Sequence, residues 1–170
     1  MANTQSTHIA SVTGSPPIIS KAHAGDGATY KSATGNIEFT PTAANTLEVC
    51  RIPASAVLRK LEFAFDDLAS TSCTLNIGLH ENGSGTAAGT VIDADCFATA
   101  VDVGTAAVAM ADYRYEVLDI DSTGDRVWEL ATGFTEAEAL EEGTVTIVIT
   151  SAAATGATAG TVAWNIEYSI

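Results

Sequence analysis

Residues 162–170 read Val-Ala-Trp-Asn-Ile-Glu-Tyr-Ser-Ile, and this stretch decides the fold class. Apolar side chains stand at every second position, with small or polar side chains between them. Successive side chains of a strand point to opposite faces of a sheet, so a period of two predicts a strand with one buried face. We expect Trp164 on the buried face and Glu167 on the opposite one.

The same alternation occurs in five further stretches, and turn residues separate them. Residues 152–160 are predicted to form a long loop of small side chains. The sequence therefore predicts an all-β fold, an antiparallel jelly-roll-like or Greek-key β-sandwich in preference to a barrel. The residues predicted to point inward are Leu47 and Val49; Val57, Leu61, Phe63 and Phe65; Leu75, Ile77 and Leu79; Trp128 and Leu130; and Val145, Ile147 and Ile149.

One short helix is predicted over residues 136–142. Thr135 and Glu138 have the spacing of a capping box, acidic residues occupy the first turn, and Gly143 can end the helix. A second helical turn near residues 95–101 is a weaker prediction, because Val and Thr there disfavour a helix.

The first part of the chain has a different composition from the rest. Residues 1–45 are rich in Ser, Thr, Ala, Gly and Asn, and they contain Pro16-Pro17 and Gly25-Asp26-Gly27. They show only brief apolar pairs such as Ile18-Ile19. We therefore expect an extended N-terminal arm over residues 1–45 and a β-sandwich domain over residues 46–170.

The chain is strongly acidic. Its 170 residues include 21 acidic and seven basic side chains, a formal net charge of -14 at pH 7. Such a charge repels phosphate backbones and anionic lipids, so nucleic acid and membrane surfaces are excluded as main partners. The first ten residues lack the pattern of a signal peptide, and no apolar run approaches the roughly 20 residues of a membrane span. We expect synthesis in a cytosol.

The charge is unevenly distributed along the chain. Residues 1–60 carry a net charge of +2, whereas residues 61–170 carry -16. This division favours docking of the arm and the first strands on a partner, and the alternative is that the acids only keep an Ala-rich domain in solution. The candidate docking residues are Lys21, Lys31, Arg51, Arg59 and Lys60.

No residue pattern predicts catalysis or a cofactor. The three histidines, His8, His23 and His80, have no metal-site spacing, and the chain contains neither a GxSxG turn nor the lysine of a phosphate-binding loop. The odd number of cysteines fits neither a disulfide framework nor a CxxC metal site. We expect the thiols of Cys50, Cys73 and Cys96 to be buried and reduced, and we expect no enzyme.

A weak calcium candidate lies in residues 119–125. Asp119, Asp121 and Asp125 place carboxylates at alternate positions around Gly124, as in calcium loops. The match is incomplete, because the twelfth position from Asp119 is Leu130 instead of a glutamate. A solvated β-turn is the alternative interpretation.

Several short stretches between residues 47 and 170 resemble a family of small virion structural proteins of tailed bacteriophages. They are residues 51–54 (RIPA), 74–79 (TLNIGL), 91–100 (VIDADCFATA) and 126–131 (RVWELA), with an Ala/Gly-rich turn before the last strand. The resemblance implies a capsid decoration or cement protein, made in the host bacterial cytoplasm, whose β-sandwich binds the major capsid protein on the capsid surface. It also implies assembly as a homotrimer.

Two other functions are compatible with the sequence. One is another virion component, such as a head fibre base or a tail accessory protein, which would use the same sandwich. The other is a carbohydrate-binding module, which needs a cluster of exposed aromatic side chains. The expected inward positions of Trp128 and Trp164 disfavour such a module.

Overall fold

The computed structural model describes residues 29–42, 44–82, 89–104, 106–114, 116–118, 122 and 124–170. Eight strands account for most of them, joined by a 3-10 helix, Val127–Leu130, and one α-helix, α1 (Glu136–Glu142). The strands are β1 (Tyr30–Phe39), β2 (Thr46–Pro53), β3 (Val57–Phe65), β4 (Ala69–His80), β5 (Val91–Asp102), β6 (Val108–Asp112), β7 (Thr144–Ala157) and β8 (Gly160–Ser169).

The strands form two four-stranded sheets in which every neighbouring pair is antiparallel. The first sheet has the order β1-β8-β3-β6, and the second has the order β2-β7-β4-β5. Consecutive strands β1 and β2 lie in different sheets, as do β3 and β4, and β7 and β8. This is the strand order of an eight-stranded jelly roll, which confirms the predicted all-β antiparallel sandwich and selects the jelly roll among its forms.

The core lies between the two sheets and consists of the alternating residues. Leu61, Phe63 and Phe65 of β3 are almost fully buried, as predicted. A bulge between Leu58 and Lys60 shifts the alternation, so Leu58 is buried in place of Val57. Trp164 is half-buried and Ile170, beyond the end of β8, is exposed. The remaining predicted core residues with no exposed surface are Leu75, Ile77, Leu79, Val145, Ile147, Ile149, Val162 and Ile166.

Part of the expected arm belongs to the sandwich. Residues 30–39 form β1, which pairs with β8 without interruption from Tyr30 opposite Ser169 to Phe39 opposite Gly160. The boundary expected at residue 46 therefore lies earlier, near residue 30. Because β1 is an edge strand with few buried side chains, its sequence is mostly polar and lacks the apolar alternation of the predicted strands. The arm expected over residues 1–28 lies outside the described residues.

The strand predicted over residues 126–131 is wrong. The chain instead makes a 3-10 turn in which Val127 is buried while Trp128 and Leu130 are half-buried. The carboxylate of Glu129 accepts a hydrogen bond from the Arg126 amide at 2.6 Å, which closes the turn. The next two amides then bond to the β2–β3 connection, Val127 N to Ala56 O at 2.8 Å and Trp128 N to Ala54 O at 3.2 Å.

Two further predictions for the connections are also wrong. Residues 152–157 continue β7 instead of forming a loop, since Ala and Thr side chains fit beside β4. Residues 95–101 lie in β5 instead of a helical turn. Ile77 and Leu79 of β4 pair with Ala98 and Asp93 of β5, so β5 has three more residues than β4 over this stretch. The extra residues form a bulge, and Cys96 and Phe97 are buried there.

The predicted helix is confirmed as α1. Thr135 Oγ1 accepts a hydrogen bond from Glu138 N at 3.4 Å, and the Glu138 carboxylate accepts one from Thr135 N at 2.8 Å. Gly143 ends the helix with φ 68°, and its amide donates to Ala139 O at 2.9 Å. The described residues contain no helix long and apolar enough to cross a bilayer.

Candidate functional site

One end of the sandwich carries most of the exposed aliphatic surface. This end, which we call the helix end, is formed by α1, the 3-10 turn, the starts of β1, β3, β5 and β7 and the ends of β2, β4 and β8. Six large hydrophobic side chains of the described residues are exposed, and Val91, Val117, Leu140 and Ile170 lie here. These exposed apolar side chains make the helix end the candidate interaction surface.

Leu140 is the most exposed of these side chains, at 77%. It lies on α1 one residue after Ala139, which packs into the core. Because residues one apart on a helix do not face the same way, burial of Ala139 leaves Leu140 outside. A small depression of about 110 Å³ lies beside it, lined by Trp128, Arg126 and Gly143.

A second depression, of about 490 Å³, lies between β5 and the segment that follows β6. Val91, Val117 and Leu118 line it together with Leu130. One wall is fixed by Asp93, whose carboxylate accepts a hydrogen bond from Thr132 N at 2.8 Å and so ties β5 to the chain before α1. The lining of this depression thus combines aliphatic side chains with a hydrogen-bonded carboxylate.

Acidic side chains separate the two depressions. Glu81, Glu138, Glu141 and Glu142 surround a trough of about 340 Å³ that also includes Val91. Hydrogen bonds from Thr135 lower the pKa of the Glu138 carboxyl. The helix end therefore combines exposed aliphatic residues with negative charge, which suits a partner that offers apolar and basic groups.

The candidate docking residues are only partly brought together. Lys31, Arg59 and Lys60 lie in β1 and β3 of the first sheet near the helix end, whereas Arg51 lies in β2 of the second sheet. Lys21 lies outside the described residues.

These basic groups have partners within the chain. Arg59 Nε donates to Ser169 Oγ at 3.1 Å, and its guanidinium lies 5.5 Å from the centre of the Tyr30 ring. Lys60 pairs with Glu62 at 3.2 Å, and Arg51 pairs with Glu48 at 3.9 Å. The ion pairs of Lys60 and Arg51 are partly exposed, and pairs of this kind contribute little to stability.

His80, which the sequence does not predict as a site residue, has an unusual environment in the structure. It is 3% exposed on the outer face of the second sheet, beside Thr146 of β7 and Val91 of β5. Neither ring nitrogen has a hydrogen-bond partner among the described residues. Burial lowers the pKa of His80, and this effect outweighs the opposing influence of the Gly89 backbone and the Glu48 carboxylate. The group is a buried neutral base.

Among the described residues, neither the cysteines nor Asp125 of the calcium candidate belongs to a cluster of metal ligands. Cys73 and Cys96 are buried and Cys50 is half-buried, and all three are free thiols. Burial raises the pKa of Cys50 to about 12. Asp119 and Asp121 lie outside the described residues, and the Asp125 amide donates to Ser122 O at 3.1 Å in a turn. The described residues contain no group of three or more His, Cys, Asp or Glu placed to hold a metal ion.

The sequence pattern did not predict that these aliphatic side chains are exposed. Leu140 stands among the acids of residues 136–142, where the sequence predicted only a short helix. The available signal was Ala139, the only other apolar residue in the second half of α1. One side of so short a helix faces the core, and the pair Ala139-Leu140 cannot both do so.

A known structure shares this architecture. A chain in the capsid of Ralstonia phage GP4 superposes with a TM-score of 0.52 and 20% identity, covering 82% of this chain and 83% of that chain. A chain of the cyanophage Pam1 capsid asymmetric unit gives a TM-score of 0.43 and 21% identity over 85% and 86% of the two chains. No family model and no curated protein matches this sequence. This chain thus has the fold of a chain found in the capsid of Ralstonia phage GP4.

Proposed function

We propose that this protein is a non-enzymatic structural component of a tailed-bacteriophage virion. The observation that carries the proposal is the jelly-roll strand order, together with its likeness over four fifths of the chain to a chain in a phage capsid. The short stretches that resemble small phage virion proteins support the same conclusion independently. A shared fold by itself does not fix function, so the sequence resemblance and the exposed surface both matter.

The finer proposal is a capsid decoration or cement protein that binds the outer surface of the major capsid protein lattice and stabilises the head. The helix end is its docking surface, because Leu140, Val91 and Val117 leave aliphatic area that only a partner can bury. The basic side chains of Arg59 and Lys60 lie at the same end and add charge recognition. Burial of a leucine side chain contributes about 1.5–3 kcal/mol, so one such contact changes affinity by tenfold or more.

The competing virion locations, a head fibre base or a tail accessory protein, use the same surface on another partner. A carbohydrate-binding module has less support, because none of the exposed large hydrophobic side chains among the described residues is aromatic. The homotrimer stays part of the proposal.

Cosedimentation with undecorated capsids tests the decoration function. The protein should pellet with the capsids, and Leu140→Gln should lower the affinity at least tenfold. Ile37→Gln is the matched control, since Ile37 is 45% exposed but lies in the half of β1 away from the helix end. Equal binding by both variants would exclude the helix end as the contact.

Electron microscopy of purified virions tests the location separately. Density for the jelly roll on the head lattice supports the decoration function. Density only at a fibre base or on the tail would replace it with one of the other virion functions. Absence of the protein from purified virions would overturn the whole proposal.

A further inference from the structure

Strand β6 is an unprotected sheet edge. It lies at the end of the first sheet and pairs on one side with β3, through Glu62 opposite Asp112, Phe63 opposite Ala111 and Phe65 opposite Val108. The backbone of residues 108–111 makes no other hydrogen bond to the part of the chain that the structure describes. An edge of this kind presents a row of amide and carbonyl groups to any strand that approaches.

The other three edge strands carry the charges that normally prevent such pairing. Lys31 and Glu38 lie in β1, Glu48 and Arg51 lie in β2, and β5 contains three aspartates. In contrast, residues 103–111 have no charged side chain, and β6 has only Asp112, at its last position. Met110, in the middle of β6, is 47% exposed. Of the four edge strands, β6 has the fewest charged side chains, so it is the edge best suited to pair with a further strand.

The chain itself contains a segment that fits this edge. Residues 1–28 carry one basic and one acidic side chain, so they are neutral while residues 29–170 hold the whole charge of -14. Because this segment has no net charge, it can approach β6 without adding to the repulsion within an acidic protein. Residues 7–13 read THIASVT, an uncharged run of β-branched residues in which Ile9 and Val12 supply apolar side chains.

The end of β1 indicates that the segment comes from another copy. Thr29 and Ile170 exchange two backbone hydrogen bonds of 3.1 Å, which continue the β1–β8 ladder beyond both strands. At residue 29 the chain therefore still runs along the strand direction, out of the helix end. It does so at the edge opposite β6, about three strand spacings or 14 Å away. A return to its own β6 requires a reversal across the sheet, so the direction of the chain at residue 29 favours a neighbouring copy.

We propose that residues 7–13 of a second copy of this chain add to β6 as a fifth strand of the first sheet. Main-chain hydrogen bonds provide the affinity, and Met110 provides an apolar contact for Ile9 or Val12. Each copy donates one segment and accepts one, so the contact is head-to-tail, and in a trimer three such contacts form a ring. This interaction needs no capsid, and it identifies the surface that would hold the expected homotrimer together.

Sedimentation velocity of the full-length protein and two kinds of variant tests the proposal. Met110→Lys places a charge in β6, and the double change Ile9→Pro, Ser11→Pro removes backbone donors from the segment without touching the sandwich. Both should convert the oligomer to monomer with unchanged thermal unfolding of the sandwich. Ile37→Lys, the same change at the opposite edge strand, should leave the oligomer intact. An oligomer that survives both kinds of variant overturns the proposal.

Disulfide trapping then distinguishes a second copy from the same chain. Ile9→Cys protein and Met110→Cys protein are mixed and oxidised, so a disulfide between the two variants can form only between molecules. A crosslinked dimer on a non-reducing gel is the expected result, and Ile9→Cys mixed with Ile37→Cys should give none. If the mixture gives no dimer while the chain carrying both cysteines forms an internal disulfide, the segment binds its own β6 and the proposal fails. No disulfide in either experiment also overturns it.

Discussion

The indole ring of Trp164 lies directly over Gly35, the residue opposite it in the β1–β8 ladder. A Cβ atom on Gly35 would stand 2.5 Å from Cζ2 of the ring, too close for any ordinary contact. The absence of a side chain in the edge strand is therefore what admits the large ring into the neighbouring strand. The two positions form one packing unit.

A double-mutant cycle tests this unit. We expect Gly35→Ala to lower the free energy of unfolding by about 1–3 kcal/mol, because the ring must move. Trp164→Ala should cost about 2–3 kcal/mol, less than a fully buried tryptophan, since the ring is half-buried. In the Trp164→Ala background, Gly35→Ala should be nearly neutral by chemical denaturation. Additive costs would show that the ring and the glycine act independently.

The buried His80 predicts a specific sensitivity to acid. Its pKa in the folded protein is lowered from the ordinary 6.5, so below that pH the unfolded chain takes up a proton that the folded chain does not. Stability should therefore be fully present above about pH 6.5 and should fall at lower pH, by at most about 1.4 kcal/mol per pH unit. Thermal unfolding between pH 7.5 and 5 should show a smaller decline for His80→Leu. Parallel curves for the two proteins would contradict this account.

Loss of the Thr135 hydroxyl from the capping box of α1 should lower the free energy of unfolding modestly. Thr135→Ala removes the hydrogen bond to Glu138 N and should lower the free energy of unfolding by about 1 kcal/mol. Thr132→Ala, an exposed position just outside the helix, should change it by less than about 0.5 kcal/mol. Urea denaturation of the two variants provides the comparison, and equal effects would argue against the cap.

Removal of residues 1–28 should leave the sandwich intact. The two sheets and their core are complete within the described residues, so the thermal midpoint should change little. Attachment to undecorated capsids should weaken, because the arm is proposed to hold neighbouring copies together and single copies lose multivalent binding. Full occupancy of the capsids by the truncated protein would show that copies bind independently.

The sequence predicted those strands whose inner face is fully buried. In residues 145–149 the inner-face side chains Val145, Ile147 and Ile149 have no exposed surface, so the apolar alternation in the sequence corresponds to burial in the core. Strand β1 was missed because an edge strand with Gly35 under a tryptophan ring has little apolar pattern to show. The turn at Val127–Leu130 was missed because its conformation depends on the Ala54 and Ala56 carbonyls, which are distant in sequence. The exposure of Leu140 depends on which side of α1 packs against the core, and the local sequence pattern does not show which side that is.

The ten unbroken residue pairs between β1 and β8 have a consequence for synthesis of the chain. Because β1 is at the edge of its sheet, β8 is its one partner strand, and the two are separated by about 120 residues of sequence. As the polypeptide leaves the ribosome, β1 must wait unpaired until residues 160–169 have emerged. Pairings so distant in sequence make folding slow and expose open edges meanwhile. The polar, charged composition of β1 protects the nascent chain from association during that wait.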